Sequence, residues 1–325
     1  MNSNPKTLQE AILAFSDEQV CVDTVSAMRW PDGPQCPDCI GENAANPYYI
    51  KTQKRWKCHH CRRQFSVKVE TIFEDSPISL TKWLPALWML VNDKNGVSSY
   101  ELHRSLGVTQ KSAWFMLHRL RLALKAGTFN TKLGGTDGGP VEVDETFIGG
   151  RLGNMHKDEK VRYEKRGGSN GKTVVMGILD RSKKQIRARV VPDVTRATLQ
   201  TEVQKQVKFG TAVYTDSHVG YDLLHSRYLH ETVNHAVTYA QGQVHTNGLE
   251  NFWSLLQRTL AGTYVAVEPS HLESYIDEQV FRYNNRATKD NPLNDSDRFV
   301  AALAQVAGKR ITYKELIGKN QTEPF

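Results

Sequence analysis

Two short knuckles, Cys36-Pro-Asp-Cys39 and Cys58-His-His-Cys61, constrain this chain more than any other feature. They stand 18 residues apart, inside the spacing expected of a four-thiolate zinc site. Each C-x-x-C turn aims two sulfurs at one point, and tetrahedral zinc needs two such pairs. The segment between them carries Tyr48, Tyr49, Ile50 and Trp56, residue types that suit the short strands of a zinc ribbon. Lys51, Lys54, Arg55, Lys57, Arg62 and Arg63 surround it with positive charge. Four protein ligands leave no open coordination position, so a zinc held by Cys36, Cys39, Cys58 and Cys61 is structural. The alternatives are disulfides, rare in the cytoplasm, or a redox C-x-x-C, which does not explain two knuckles. His59 and His60 can stand in for a thiolate but read as solvated loop residues. Cys21 stands apart and reads as a small core residue.

The chain has 325 residues, room for two or three domains with real cores. Its net charge of +7 leaves two readings open, a polyanionic partner or a merely basic soluble enzyme. The longest apolar run, Trp83 to Val91, contains Pro85 and falls far short of the roughly 20 residues of a membrane span. The N-terminus lacks the charged-then-apolar order of a signal peptide. Thr7 with Glu10, and Ser16 with Gln19, read instead as helix capping boxes. A cytoplasmic, nucleoid-associated location is the expectation.

Texture divides the chain into an N-terminal helix plus zinc ribbon (1–70), a helical segment (71–130), an α/β domain (131–290) and a helical tail (291–325). Residues 131–139 read as a glycine-rich linker. Ser98 to Leu106, Gly107, then Thr109 to Leu124 reads helix, turn, helix, with Gln110, Lys111, Ser112, His118, Arg119 and Arg121 as its polar or basic positions. An ordinary helical hairpin explains that stretch alone. Beside a zinc ribbon and a basic chain, a helix-turn-helix-like DNA-binding segment is the better reading.

The α/β segment carries acids where apolar residues belong. Val141 to Ile148 alternates like a strand, yet Asp144 sits at its centre between two β-branched or acidic neighbours, Val143 and Glu145. Lys172 to Leu179 and Gln185 to Val191 read as two further strands joined by a turn at Asp180 to Lys184. Thr195 to Val207 reads as a helix, and Thr211 to Asp216 as a fourth strand ending on a second carboxylate. A later helix opens near Asn247, with Leu249, Phe252, Trp253, Leu256 and Leu260 as its apolar face. Glu250 lies off that face, in line with Asn247, Ser254 and Gln257. This order is that of a ribonuclease-H-like fold, whose first strand, fourth strand and late helix each carry a metal-binding carboxylate. Hard oxygen ligands suit magnesium or manganese, and two such ions about 4 Å apart serve phosphodiester cleavage and transfer. Each acid has a plainer reading: Asp144 as an exposed strand residue, Asp216 as an N-cap, Glu250 as a first-turn acid favoured by the helix dipole. Glu142 points to the face of Asp144 and Glu145 to the other; both read as supporting or solvated groups.

The double ribbon, "VEVDETFIGGR", "VYTDSHVGYDLL" and "HTNGLENFWSLLQRTLAGTY…FRYNNR" together closely resemble the bacterial insertion-sequence transposases related to the eukaryotic Merlin elements. The resemblance runs from about Thr7 to Arg286. It implies a DDE mechanism with Asp144, Asp216 and Glu250 as the triad, and the 33 residues between the last two match the usual spacing. It implies double-stranded DNA as partner, both element ends and target, with the ribbon and helical segment holding terminal inverted repeats and the enzyme acting as a homo-oligomer on paired ends. One departure stands out. Members usually carry a Lys seven residues after the Glu, where this chain has Gln257; Gln cannot supply the charge. Arg258 is adjacent but points about 100° away on a helix. His245 and Asn247 are candidates for orienting the scissile phosphate. Gly149 to Lys172, with Arg151 and Lys172 among seven basic residues against three acids, reads as a DNA-touching loop or a solvated insertion. A resolvase-like nuclease without strand transfer, or a dead DNA-binding regulator, are the competing functions.

Overall fold

The computed structural model describes residues 5–125, 131–135, 138–149, 172–233 and 243–318. The chain divides into two compact units, Met1–Lys125 with Asn285–Phe325, and Ala126–Asn284.

The first unit begins with α1 (Leu8–Ala14) and α2 (Glu18–Arg29). Thr7 caps α1 by accepting from Glu10 N–H. The second cap differs from the sequence reading. Asp17, not Ser16, accepts from Gln19 N–H at 2.6 Å, while the Ser16 hydroxyl donates back to Leu13 O. A carboxylate is the stronger acceptor at the positive end of a helix. Three short antiparallel strands follow: β1 (Tyr48–Ile50), β2 (Arg55–Lys57) and β3 (Gln64–Phe65). Trp56 on β2 pairs with Tyr49 and Phe65 across the ladder and buries against both. Three helices complete the sequence of this half: α3 (Leu80–Asn92), α4 (Ser99–Leu106) and α5 (Gln110–Leu124). Gly107 takes φ +60 between the last two, a left-handed cap that side chains resist.

The expected polar face of α5 is corrected by burial. His118, Arg119 and Arg121 are all buried, and Arg119 lies over the rings of Phe115 and Trp83. Of the positions expected to be polar, Lys111 is exposed and Gln110 and Ser112 are half-buried. The segment after residue 285 returns to this unit. On its helix Asp295–Leu303, Phe299 packs against Phe15 and Trp88, with centroids 5.3 and 5.4 Å away. Ile72 N–H donates to Val306 O, and Gly308 N–H to Glu70 O.

The second unit is built on a five-stranded sheet in the order β6-β5-β4-β7-β8. β4 (Val141–Ile148), β5 (Thr173–Asp180) and β6 (Gln185–Val191) form an antiparallel meander. β7 (Ala212–Asp216) joins β4 in parallel, and β8 (Leu229–Val233) adds in parallel beyond it. The sequence showed no strand at β8 because only Val233 of its five residues is buried, so apolar alternation is missing. α6 (Arg196–Gln206) covers one face, where Leu199 and Val203 meet Val141, Val143 and Met176. α7 (Asn247–Thr259) and α8 (Leu272–Asn284) cover the other, where Leu249, Trp253, Ile276 and Val280 meet Val175 and Leu179. α8 also closes the edge of β6. The Asn284 amide accepts from Ile186 N–H and donates to Ile186 O, as a neighbouring strand would, and Glu273 accepts from Val190 N–H.

The expected linker is not one where it is described. Leu133 is buried and exchanges backbone bonds with Gln206 and Lys208. Gly134 N–H donates to the buried Asp180 carboxylate, and Gly135 N–H to Thr211 Oγ1. Glycine there serves close approach: a Cβ on Gly134 would lie 2.3 Å from Thr211 Cγ2.

Candidate active site

β4 and β7 bring two acids level. Their parallel register pairs Val141 with Val213 and Glu142 with Tyr214. The pairing ends there, two residues before Asp144 and Asp216, whose carboxyls stand in electrostatic reach of each other. Asp144 Oδ2 accepts the indole N–H of Trp253 at 2.9 Å. Burial pushes the Asp144 carboxyl up to about 7; the Trp253 bond opposes this, and the charges of Glu145 and Asp216 add to it. Asp216 Oδ1 accepts the backbone N–H of His218 at 3.1 Å. Glu145 proves to be a partly buried neighbour of the pair. It accepts the Tyr221 hydroxyl at 2.5 Å and stands 3.8 Å from His218 Nδ1. Burial pushes Glu145 up to about 7 as well, opposed by the Tyr221 bond and reinforced by Asp216. Three carboxyl groups thus stand in mutual electrostatic reach, and burial makes two of them reluctant to ionise.

The third sequence candidate, Glu250, is exposed in the first turn of α7. That helix is laced to β4 at three successive points. Glu142 Oε2 accepts Leu249 N–H, Asp144 accepts Trp253 Nε1–H, and Thr146 Oγ1 accepts the Gln257 amide at 3.3 Å. Four helix residues rise about 6.0 Å and two strand residues about 6.6 Å, so the two periods stay in step over this length. Glu250 and Trp253 are three residues apart and therefore neighbours on the helix surface. The close approach needs glycine on both sides. A Cβ on Gly177, the register partner of Asp144, would lie 2.7 Å from the Trp253 ring. A Cβ on Gly248 would lie 2.3 Å from Leu179 and 2.8 Å from Glu142 Oε2.

The remaining candidates scatter. His245 is only partly exposed, and its Nδ1 faces Arg181 Nη2 at 2.6 Å. A guanidinium only donates, so Nδ1 accepts and the ring proton sits on Nε2. Asn247 opens α7 at the surface, and Arg258 and Lys172 are exposed. Gln257 is exposed on α7 and donates its amide to Thr146 Oγ1. Arg151, with the rest of the basic loop 150–171, lies outside the described residues. In the sequence Trp253 reads as core alone, and nothing local marks Arg181 or Tyr221. An indole N–H at a buried helix position was the available signal, since such a donor needs a partner.

In the ribbon, the ligand atoms of Cys36, Cys39, Cys58 and Cys61 all lie within 4.8 Å of one another. Cys36 and Cys61 sulfurs are 3.6 Å apart and those of Cys39 and Cys58 3.8 Å. Tetrahedral zinc with bonds of about 2.3 Å sets its sulfurs roughly 3.8 Å apart, whereas a disulfide needs about 2.05 Å. The backbone N–H of Cys61, helped by that of His60 and opposed by burial, pulls the Cys58 thiol down to about 7. Burial pushes the Cys36 and Cys39 thiols the other way.

Residues 136–284 match the family model described as the ISXO2-like transposase domain, and residues 16–64 that of the transposase zinc-ribbon domain. An uncharacterized protein in the transposable element ISH50 of Halobacterium salinarum is 26% identical over 259 residues, covering 77% of this chain and 85% of that protein. An uncharacterized transposase-like protein of Haemophilus influenzae is 36% identical over 101 residues, 31% of this chain and 81% of that protein. Among solved structures, the simian T-cell lymphotropic virus intasome in complex with PP2A regulatory subunit B56 gamma aligns at 12% identity. It covers 64% of this chain and 72% of that one, with a TM-score of 0.30, too low to establish a common fold. A zinc ribbon ahead of a DDE domain defines the class, a transposase. Within that class, the chain belongs to the IS1595 family of insertion-sequence transposases.

Proposed function

We propose that this transposase nicks the ends of its insertion sequence and joins the freed 3′-hydroxyl to target DNA, using Asp144, Asp216 and Glu250 to hold catalytic divalent ions. The observation that carries the reading is that Asp144 and Asp216, on adjacent parallel strands, stand in electrostatic reach of each other, with the helix bearing Glu250 bonded directly to Asp144 through Trp253. The element order, three antiparallel strands, a helix, a parallel fourth strand and a late helix, supports a ribonuclease-H-like assignment. Bound there, magnesium or manganese would supply activation of the attacking oxygen and charge neutralisation at the leaving one. The protein contributes position. Asp144 is fixed by the Trp253 indole, Asp216 by the His218 amide, and Glu250 by the lacing of α7 to β4. Tyr221 and His218 hold Glu145 beside the pair, where its charge strengthens cation binding. His245 and Asn247 at the start of α7 stand where a DNA phosphate can be oriented. The zinc-bound ribbon and the exposed N-terminus of α5 are the surfaces for the terminal inverted repeats, and two ends are brought together by a homo-oligomer.

The test is incubation with end-bearing DNA and a target plasmid in manganese. Ends joined to the target at new positions are expected. Cleaved ends with no joined product would leave a nuclease of the same chemistry, and no cleavage at all would leave a DNA-binding regulator.

A further inference from the structure

One side chain outside the proposed triad touches the neighbourhood of every member of it. Arg181 follows β5 in the turn to β6, and its own N–H is fixed to Pro140 O just before β4. Its guanidinium donates from Nε to Glu142 Oε1 at 2.5 Å, two residues before Asp144. It lies over the ring of Tyr214, two residues before Asp216, at 5.0 Å from the centroid. It also donates to Gln243 O, His245 O and His245 Nδ1 at 2.6, 2.7 and 2.6 Å, on the segment that leads into the helix of Glu250. We infer that Arg181 is the positioning residue of this site: a single guanidinium that sets β4, β7 and the start of α7 relative to one another. The inference rests on the triad reading above.

Two features argue that the arrangement is made for position. α7 starts without a side-chain cap from Thr246. Glu142, buried to 1% exposure and oriented by Arg181, accepts Leu249 N–H in its stead. The network therefore anchors the helix end from the strand that bears Asp144. Only a planar fork with several fixed N–H donors can serve a carboxylate, two carbonyls, an imidazole and an aromatic face together. Lysine keeps the charge and loses the fork. Metal-site geometry tolerates errors of only about 0.5 Å, and misplacement near 1 Å costs on the order of a hundredfold in rate.

The test uses the full chain with Arg181→Lys and Glu142→Gln, the second keeping the shape of the carboxylate without its charge. Two quantities are read beside end-DNA affinity: the cleavage rate, and the manganese concentration giving half of the metal-induced rise in melting temperature. The expected result is cleavage slowed roughly a hundredfold, half-saturation moved to roughly tenfold more manganese, and DNA affinity unchanged. A purely structural role would lower the metal-free melting temperature and leave both readings at wild-type values, which would overturn the inference. Should Arg181→Lys fail to fold, Glu142→Gln decides, since it weakens the same network from the opposite end. Asp144→Asn separates the two claims. If it leaves cleavage intact, the triad reading fails; if it abolishes cleavage while the Arg181 and Glu142 variants behave as wild type, only the positioning role fails.

Discussion

Asp144 carries the central tension of the molecule: a carboxyl placed among apolar neighbours, near two further acids, with an indole as its direct partner. Its folded pKa of about 7 lies above the ordinary aspartate value of 3.8. The folded state therefore holds a proton that the unfolded state releases between about pH 4 and 7, and stability falls as pH rises through that window. Glu145 acts in the same direction. Without added divalent metal, Asp144→Asn is expected to raise the melting temperature by at least about 3 °C at pH 8, with the difference shrinking toward zero near pH 4. Thermal scans at both values check this; an equal difference at both would show that burial of charge is not the cause. Gly248 supplies a second residue-scale test. Alanine there meets Leu179 and Glu142 head on, so Gly248→Ala should destabilise the second unit by about 1–3 kcal/mol, measured by denaturant unfolding.

At the scale of elements, the lacing of α7 to β4 explains both what the sequence revealed and what it hid. The alternation of Val141 to Ile148 and the apolar stripe of Leu249, Phe252 and Leu256 were legible because each reports one buried face. Asp144 and Asp216 stood out as acids interrupting or ending such patterns. Arg181, Glu142 and Tyr221 were not legible, because their roles depend on partners 39 to 107 positions away in the chain. β8 was missed for want of a buried face, and the glycine-rich stretch at 134–135 was misread because close backbone approach leaves the same composition as a linker. The lacing also places Gln257 on Thr146, beside the strand of Asp144. Gln257→Lys keeps a donor for Thr146 and adds a charge on the same line as Glu250. It should tighten DNA binding and steepen its salt dependence by about one phosphate contact. Affinities measured across a salt series check this; an unchanged slope would mean that the position does not face DNA.

For the whole molecule, the chain's end belongs with its beginning. The first unit is closed by Phe299, Leu303 and Val306, all buried, and by strand-like backbone bonds from 306–308 to 70–72. The sequence hid this because nothing local marks a return to the N-terminal half. Truncation after Arg286 removes the buried Phe299, Leu303 and Val306 side chains, worth about 1.5–3 kcal/mol each. Hydrogen exchange should then show lost protection in α3 and α5 while the sheet of the second unit keeps its own; equal loss in both units would contradict the division.

The most direct test replaces the acids one at a time, Asp144→Asn, Asp216→Asn and Glu250→Gln, and follows cutting of end-bearing DNA in manganese beside end binding without metal. Each variant is expected to bind ends like the parent protein and to cut at least about a thousandfold more slowly, since each removes a metal-holding charge. Any one of them cutting at the parent rate would contradict the assignment of that carboxylate to the centre, and Asp144 or Asp216 doing so would remove the centre itself.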